Sequence, residues 1–104
     1  MIAEIHVSPS PAGTADNRYE HVEAAIEVVQ RSGLHHEVGA LGTTFEGDAD
    51  VVWRVLRAAH EAVLRSGADG VITSIRLGDQ AAQAAPADPE GGLRMERLTA
   101  KFRS

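Results

Sequence analysis

The chain has 104 residues, 43% of them hydrophobic, which is one domain with material for one core. Ten Lys and Arg stand against 15 Asp and Glu, a net charge of −5, and this argues against a nucleic-acid binder, which carries a basic stripe. There is no cysteine, so disulfides, thiolate catalysis and Cys-based zinc or iron–sulfur sites are excluded.

Residues 2–8 alternate, with Ala3, Ile5 and Val7 on one face and Glu4, His6 and Ser8 on the other, which predicts a strand. Pro9 and Pro11 are expected to end it, ahead of a loop over residues 12–17. A helix follows from about Arg18 to Ser32, capped by Asp16 or Asn17, with Tyr19, Val22, Ala25, Ile26 and Val29 as its apolar stripe and Gly33 as its stop. Leu34 to Val38 reads as a second strand, residues 39–42 as a turn and Thr43 to Glu46 as a third strand. Asp48 is a candidate cap for a second helix from Ala49 to Ser66, whose stripe is Val52, Val55, Leu56, Ala59 and Val63. Gly67 closes it, and Gly70 to Leu77 alternates as a fourth strand. Residues 78–93 have no period and read as a flexible loop; residues 94–102 predict a short terminal helix with Met95, Leu98 and Phe102 on one side. No repeat or second domain is evident, so residues 1–104 are one unit with its core in 1–77.

The order β-α-β-β-α-β is the split β-α-β, or ferredoxin-like, topology of an α+β sandwich. Two helices cover one face of a four-stranded antiparallel sheet, in the expected order 4-1-3-2. The other face is left open, and alternation assigns Glu4, His6, Ser8, Thr44, Glu46, Ser74 and Arg76 to it. Antiparallel sheets often have one solvated face. Here hydroxyls mix with a cation, two carboxylates and a histidine, which makes the patch a candidate site. Ile2 and Ile72 share the face, which suggests cover from a partner subunit.

Several segments together resemble the small thiamine-binding protein family. They are the opening Ile-x-x-Ile-x-Val-x-Pro from Ile2 to Pro9, Ser32 to Leu34, Gly42 to Gly47, Ala59 to Val63, Gly67 to Asp69 and Thr73 to Arg76. The resemblance covers residues 1–77 and weakens beyond. It implies a ferredoxin-like protomer forming dimers or tetramers. It also implies non-catalytic binding of thiamine or its hydroxymethylpyrimidine half, in transport, salvage or sequestration. Two elements carry over by position, Gly42 to Gly47 and Thr73 to Arg76. The aminopyrimidine needs placed donors and acceptors, for which Ser74, Thr43 and Thr44 qualify. The thiazolium cation favours a carboxylate or an aromatic face. Glu46 is the first choice, Glu4 the second, and Tyr19, Phe45 and Trp53 are the large aromatics, with subunit packing the stronger reading for Trp53. Arg76 sits awkwardly beside a cation and is expected to pair with Glu4 or Glu46. Alternation forbids Thr43 and Thr44 from both facing the open side, so Thr43 serves there only from within the turn.

Rival readings are weaker. Of five histidines, His35 and His36 point to opposite faces of a strand, and His21 and Glu23 are two apart on a helix, leaving His6 as the best single metal ligand. An enzyme is not expected: acylphosphatases of this topology need an arginine in the first loop and an Asn on the third strand, and both are missing. RNA-binding domains of this topology need aromatics on strands 1 and 3, where only Phe45 is found. A structural or regulatory oligomer without ligand stays open. No basic-then-apolar leader opens the sequence and no apolar run reaches the ~18 residues of a membrane span, so a soluble cytoplasmic protein is expected.

Overall fold

The structure, a computed structural model, describes residues 1–81 together with Met95 and Glu96. Six elements follow in the expected order: β1 (Ile2–Ser10), α1 (Glu20–Arg31), β2 (His35–Val38), β3 (Thr43–Glu46), α2 (Ala49–Arg65) and β4 (Gly70–Gly78). The four strands form one antiparallel sheet in the order β2-β3-β1-β4, with both helices on one side, consistent with a ferredoxin-like fold. No helix among the described residues is long and apolar enough to cross a membrane. The expected loop starts too early, because β4 continues to Gly78. Residues 82–94 of the loop and terminal-helix segments lie outside the described residues, as do 97–102; Met95 and Glu96 are helical.

The core is set by alternation on the strands and by the stripes on the helices. Ala3, Ile5, Val7 and Phe45 face down onto Ala25 and Val29 of α1 and Val52, Leu56, Ala59 and Val63 of α2. Phe45 is the largest fully buried side chain among the described residues. His21 of α1 is also buried, and its Nδ1 lies 2.7 Å from Ser66 Oγ. That hydroxyl donates its own proton to the Val63 carbonyl at 2.7 Å, so its lone pairs accept from the His21 ring. The bond ties the start of α1 to the end of α2.

Three local expectations need correction. β1 does not stop at Pro9 but runs to Ser10. β3 pairs only with Ile2 to Ile5, so beyond Ile5 one side of β1 has no ladder. A strand with an unpaired side tolerates proline, because the missing N–H can fall there. The N-cap of α1 is Tyr19, and neither Asp16 nor Asn17. Asn17 acts from two residues upstream: its Oδ1 accepts from the Tyr19 N–H at 3.2 Å, and its Nδ2 donates to Glu23 at 3.0 Å. Ile2 does not wait for a partner subunit, since it is 8% exposed within the single chain. Glu46 stands beside it in register and accepts from the backbone N–H of buried Met95 at 3.0 Å, so the C-terminal segment reaches this corner of the open face.

Phe45 meets side chains from both helices, so truncation leaves a cavity the core cannot close. Phe45→Ala is expected to cost about 3–5 kcal/mol, a large part of a small domain's stability. Chemical denaturation checks this, and a loss below about 1 kcal/mol would remove Phe45 from the centre of the core.

Candidate functional site

The registers place every candidate residue. Thr44, Glu4 and Arg76 lie in one row across the open face, with Glu37 of β2 at its end. His35, Glu46 and Ile2 form the next row, His6 pairs with Ser74, and Ser8 with Ile72. The face is therefore assembled as alternation predicts, with His35 and Glu37 added. Its β4 side is open to water, however. Arg76 is 86% exposed and stands 4.0 Å from Glu4, an ion pair at the limit of contact and worth little in water. Among the described residues no three His, Cys, Asp or Glu side chains gather into a metal-binding group.

Thr43 stands elsewhere. Its Cα partner is Ile5, a core residue, so its side chain turns to the helix side of the sheet. It is 4% exposed, and its hydroxyl has no hydrogen-bond partner among the described residues. Buried hydroxyls are almost always paired, so an orphan needs an explanation. Thr43 lines a cavity of ≈ 490 Å³, within the usual range for small-molecule sites.

The cavity exists because β3 is shorter than β1. Ladder pairing between them ends at Ile5 and Thr43, and the turn between β2 and β3 swings aside there, closed by a Gly39 N–H to Gly42 carbonyl bond of 2.9 Å. His6 and Val7 therefore border the cavity with one strand edge unpaired. In a strand, every second residue directs both N–H and C=O to the same edge. The roof is α1, where Tyr19, Val22, Glu23 and Ile26 recur at i, i+3, i+4 and i+7 on one side. Val22 and Ile26 stay only half-buried although they face the sheet, because the cavity lies under them.

The Gly42 to Gly47 segment is thus divided between two surfaces. Gly42 and Thr43 line the cavity, whereas Thr44 and Glu46 belong to the open face. Both glycines sit in tight surroundings. A Cβ on Gly47 would come within 2.9 Å of Leu34 Cδ2, and one on Gly42 within 3.2 Å of the Ile5 carbonyl oxygen.

The family model described as thiamine-binding protein matches residues 3–89, a span that takes in all six elements except Ile2, the first residue of β1. The chain belongs to this family. A UPF0045 protein of Methanothermobacter thermautotrophicus is 34% identical over 86 residues, 81% of each chain. A UPF0045 protein of Synechocystis is 37% identical over 78 residues, 75% of this chain and 63% of that one. Among solved structures, the domain of unknown function DUF77 from Bacillus cereus superposes with a TM-score of 0.74 at 35% identity, covering 98% of this chain and 90% of that one. A Thermotoga maritima structure, described as a candidate thiamine biosynthesis/salvage protein, superposes with a TM-score of 0.75 over 98% of this chain and 97% of that one. At 22% identity its likeness is one of fold.

Within this thiamine-binding family member, sequence reading missed Glu23. The signal was present: a carboxylate one helical turn from Tyr19, inside an otherwise apolar stripe. The strand edge at His6 and Val7 carries no side-chain signal at all. The orphan hydroxyl gives a test on the free protein. Replacing an unpaired buried hydroxyl by a methyl of the same shape removes a desolvation cost and breaks no bond. Thr43→Val is therefore expected to be neutral to within about 0.5 kcal/mol, or stabilising. Thermal or chemical unfolding checks this, and a loss above about 1 kcal/mol would show that the hydroxyl holds the fold.

Proposed function

We propose that the protein binds thiamine or its hydroxymethylpyrimidine half, without transforming it, in the cavity between α1 and β1. The family supports a thiamine-related role, and the Thermotoga maritima structure of the same fold carries a thiamine-salvage description. The orphan Thr43 hydroxyl carries the choice of site.

The chemistry matches the ligand. An aminopyrimidine presents an N–H donor beside a ring-nitrogen acceptor. The unpaired β1 edge presents the complementary C=O and N–H, as it would to another strand. Thr43 supplies one further hydroxyl, and Val22, Ile26 and Ile5 give the ring apolar walls. At the mouth, the Glu23 carboxylate and the Tyr19 ring suit the permanent charge of the thiazolium. Asn17 holds Glu23 at 3.0 Å, so the carboxylate is positioned before a ligand arrives. Glu46, the first choice from sequence, already accepts from the Met95 N–H, and Thr44, Ser74, Arg76, Glu4 and Ser8 lie on the face of the sheet away from the helices. We assign them no direct part in binding. A role in transport, salvage or sequestration follows from binding without chemistry.

Thermal shift and titration calorimetry test the reading, because a ligand of the folded state raises its apparent stability. Both ligands are expected to stabilise the wild type. Thr43→Val weakens both by up to about tenfold, the worth of one hydrogen bond. Glu23→Gln weakens thiamine more than the neutral pyrimidine. No shift at millimolar ligand would sink the thiamine reading. Binding lost in Thr44→Val and Glu46→Gln, yet intact in Thr43→Val, would move the site to the open face.

A further inference from the structure

The His21–Ser66 bond joins the start of α1 to the end of α2, so the end of α1 runs beside the start of α2. Between them lies an open groove of ≈ 380 Å³, to whose lining no strand contributes. Val28 of α1 and Val51, Val55 and Ala58 of α2 form an apolar floor, the last three at i, i+4 and i+7. All four side chains are short, which leaves the space between the helices unfilled. Arg31 and Arg54 complete the groove, and both are exposed.

The two arginines differ in what they already hold. Glu27 and Arg31 stand at i, i+4 on α1 and pair at 2.8 Å. On α2, Arg57 and Glu61 have the same spacing and pair at 3.0 Å. Asp50 and Arg54 have it too, yet Arg54 has no hydrogen-bond or ion-pair partner among the described residues. The reason lies in the helix. Asp50 is in the first turn of α2, where the positive end of the helix dipole already stabilises a carboxylate. Arg54 is left with a planar fork of uncommitted N–H donors beside an apolar floor.

We propose that this groove is a second binding site, for an organic anion with an apolar body. An aryl or branched alkyl group lies on the valines and Ala58, and a carboxylate or sulfonate head meets Arg54. Charge complementarity selects this occupant. The chain as a whole carries −5, so a groove with a free guanidinium goes against its general charge. The fork matches the two oxygens of such a head, and a guanidinium is weakly enough hydrated to work next to apolar surface. Glu27 offsets much of Arg31, so Arg54 holds the head and Arg31 adds a smaller attraction. A small inorganic anion gains little here, because an exposed ion pair is worth little in water. The apolar floor supplies the remainder, and the groove volume is in the range of small-molecule sites. No residue lines both this groove and the cavity beneath α1, so the site stands independently of the thiamine assignment.

Fluorescence titration with anilinonaphthalene sulfonate tests the site, because this aromatic anion brightens in apolar surroundings. Phenylnaphthylamine, the same ring system without the sulfonate, is the neutral control. The wild type is expected to bind the sulfonate saturably and more tightly than the neutral amine. Arg54→Gln weakens the sulfonate about tenfold, the worth of one charge-assisted hydrogen bond, and leaves the amine unchanged. Ala58→Phe fills the groove and abolishes both, with unchanged far-UV circular dichroism. Arg65→Gln, the same change of charge at the far end of α2, leaves the sulfonate unaffected. Excess thiamine does not displace it. Equal binding of the two probes overturns the proposal, as does an Arg54→Gln effect no larger than that of Arg65→Gln. Saturable binding that survives Ala58→Phe, or that thiamine displaces, puts the anion elsewhere and overturns it as well.

Discussion

Nine residues of β1 lie beside only four of β3, and much of what is distinctive here follows from that mismatch. Main-chain N–H and C=O groups are obligatory hydrogen-bonding groups, so a central strand that loses its neighbour halfway along must turn to something else. On the β4 side the ladder is complete, from Ile2 paired with Gly78 to Ser10 paired with Gly70. On the β3 side it stops at Ile5. The result is a strand held rigidly along one edge and open along half of the other. The opening lies beneath α1, where the chain's apolar stripe cannot fill it. A dry roof, a polar edge and a rigid back wall are the parts a small heteroaromatic ligand requires.

The same asymmetry separates the two surfaces of the sheet. The open face is polar and, on its β4 side, exposed and loosely paired, and its carboxylate Glu46 is bonded to the Met95 backbone. The cavity is a cleft under α1 and carries a buried hydroxyl with no partner among the described residues. Hydrogen bonds formed away from bulk water are worth more to a ligand than those on a solvated face, because an unmet group there is costly. That difference is the ground on which the cavity is proposed over the open face. It also gives the Gly42 to Gly47 segment two duties. Gly42 and Thr43 shape the cavity, while Thr44 and Glu46 contribute to the outer face and its contact with the C-terminal segment.

The sequence reading shows where local patterns suffice and where they fail. Period-two alternation placed Ala3, Ile5, Val7 and Phe45 in the core and Glu4, Thr44, Ser74 and Arg76 outside it, because a residue's face in a strand depends only on its immediate neighbours. Helical stripes worked for the same reason. Thr43 shows the limit. Alternation alone turned it away from the open face, yet nothing local reveals that a cavity awaits it on the other side. That cavity depends on how far β3 runs relative to β1 and on where α1 crosses, both non-local facts. Glu23 was passed over because a carboxylate on a helix is usually solvated, and its significance comes from Tyr19 beside it and the strand edge below. Pro9 misled for a related reason: it is a strand breaker only where both sides of the strand are paired. The corner at Ile2 and Glu46 depends on Met95, about fifty residues away in the chain, which no window of sequence connects to it.

The most direct test of the central claim is to map the ligand residue by residue with backbone amide NMR during a thiamine titration. The account predicts that the amides of His6, Val7, Glu23, Gly42 and Thr43 move in a saturable, concerted way. Those of Ser8, Ser74 and Arg76 on the open face stay in place. Saturable shifts confined to the open face, with the cavity amides unmoved, would contradict it.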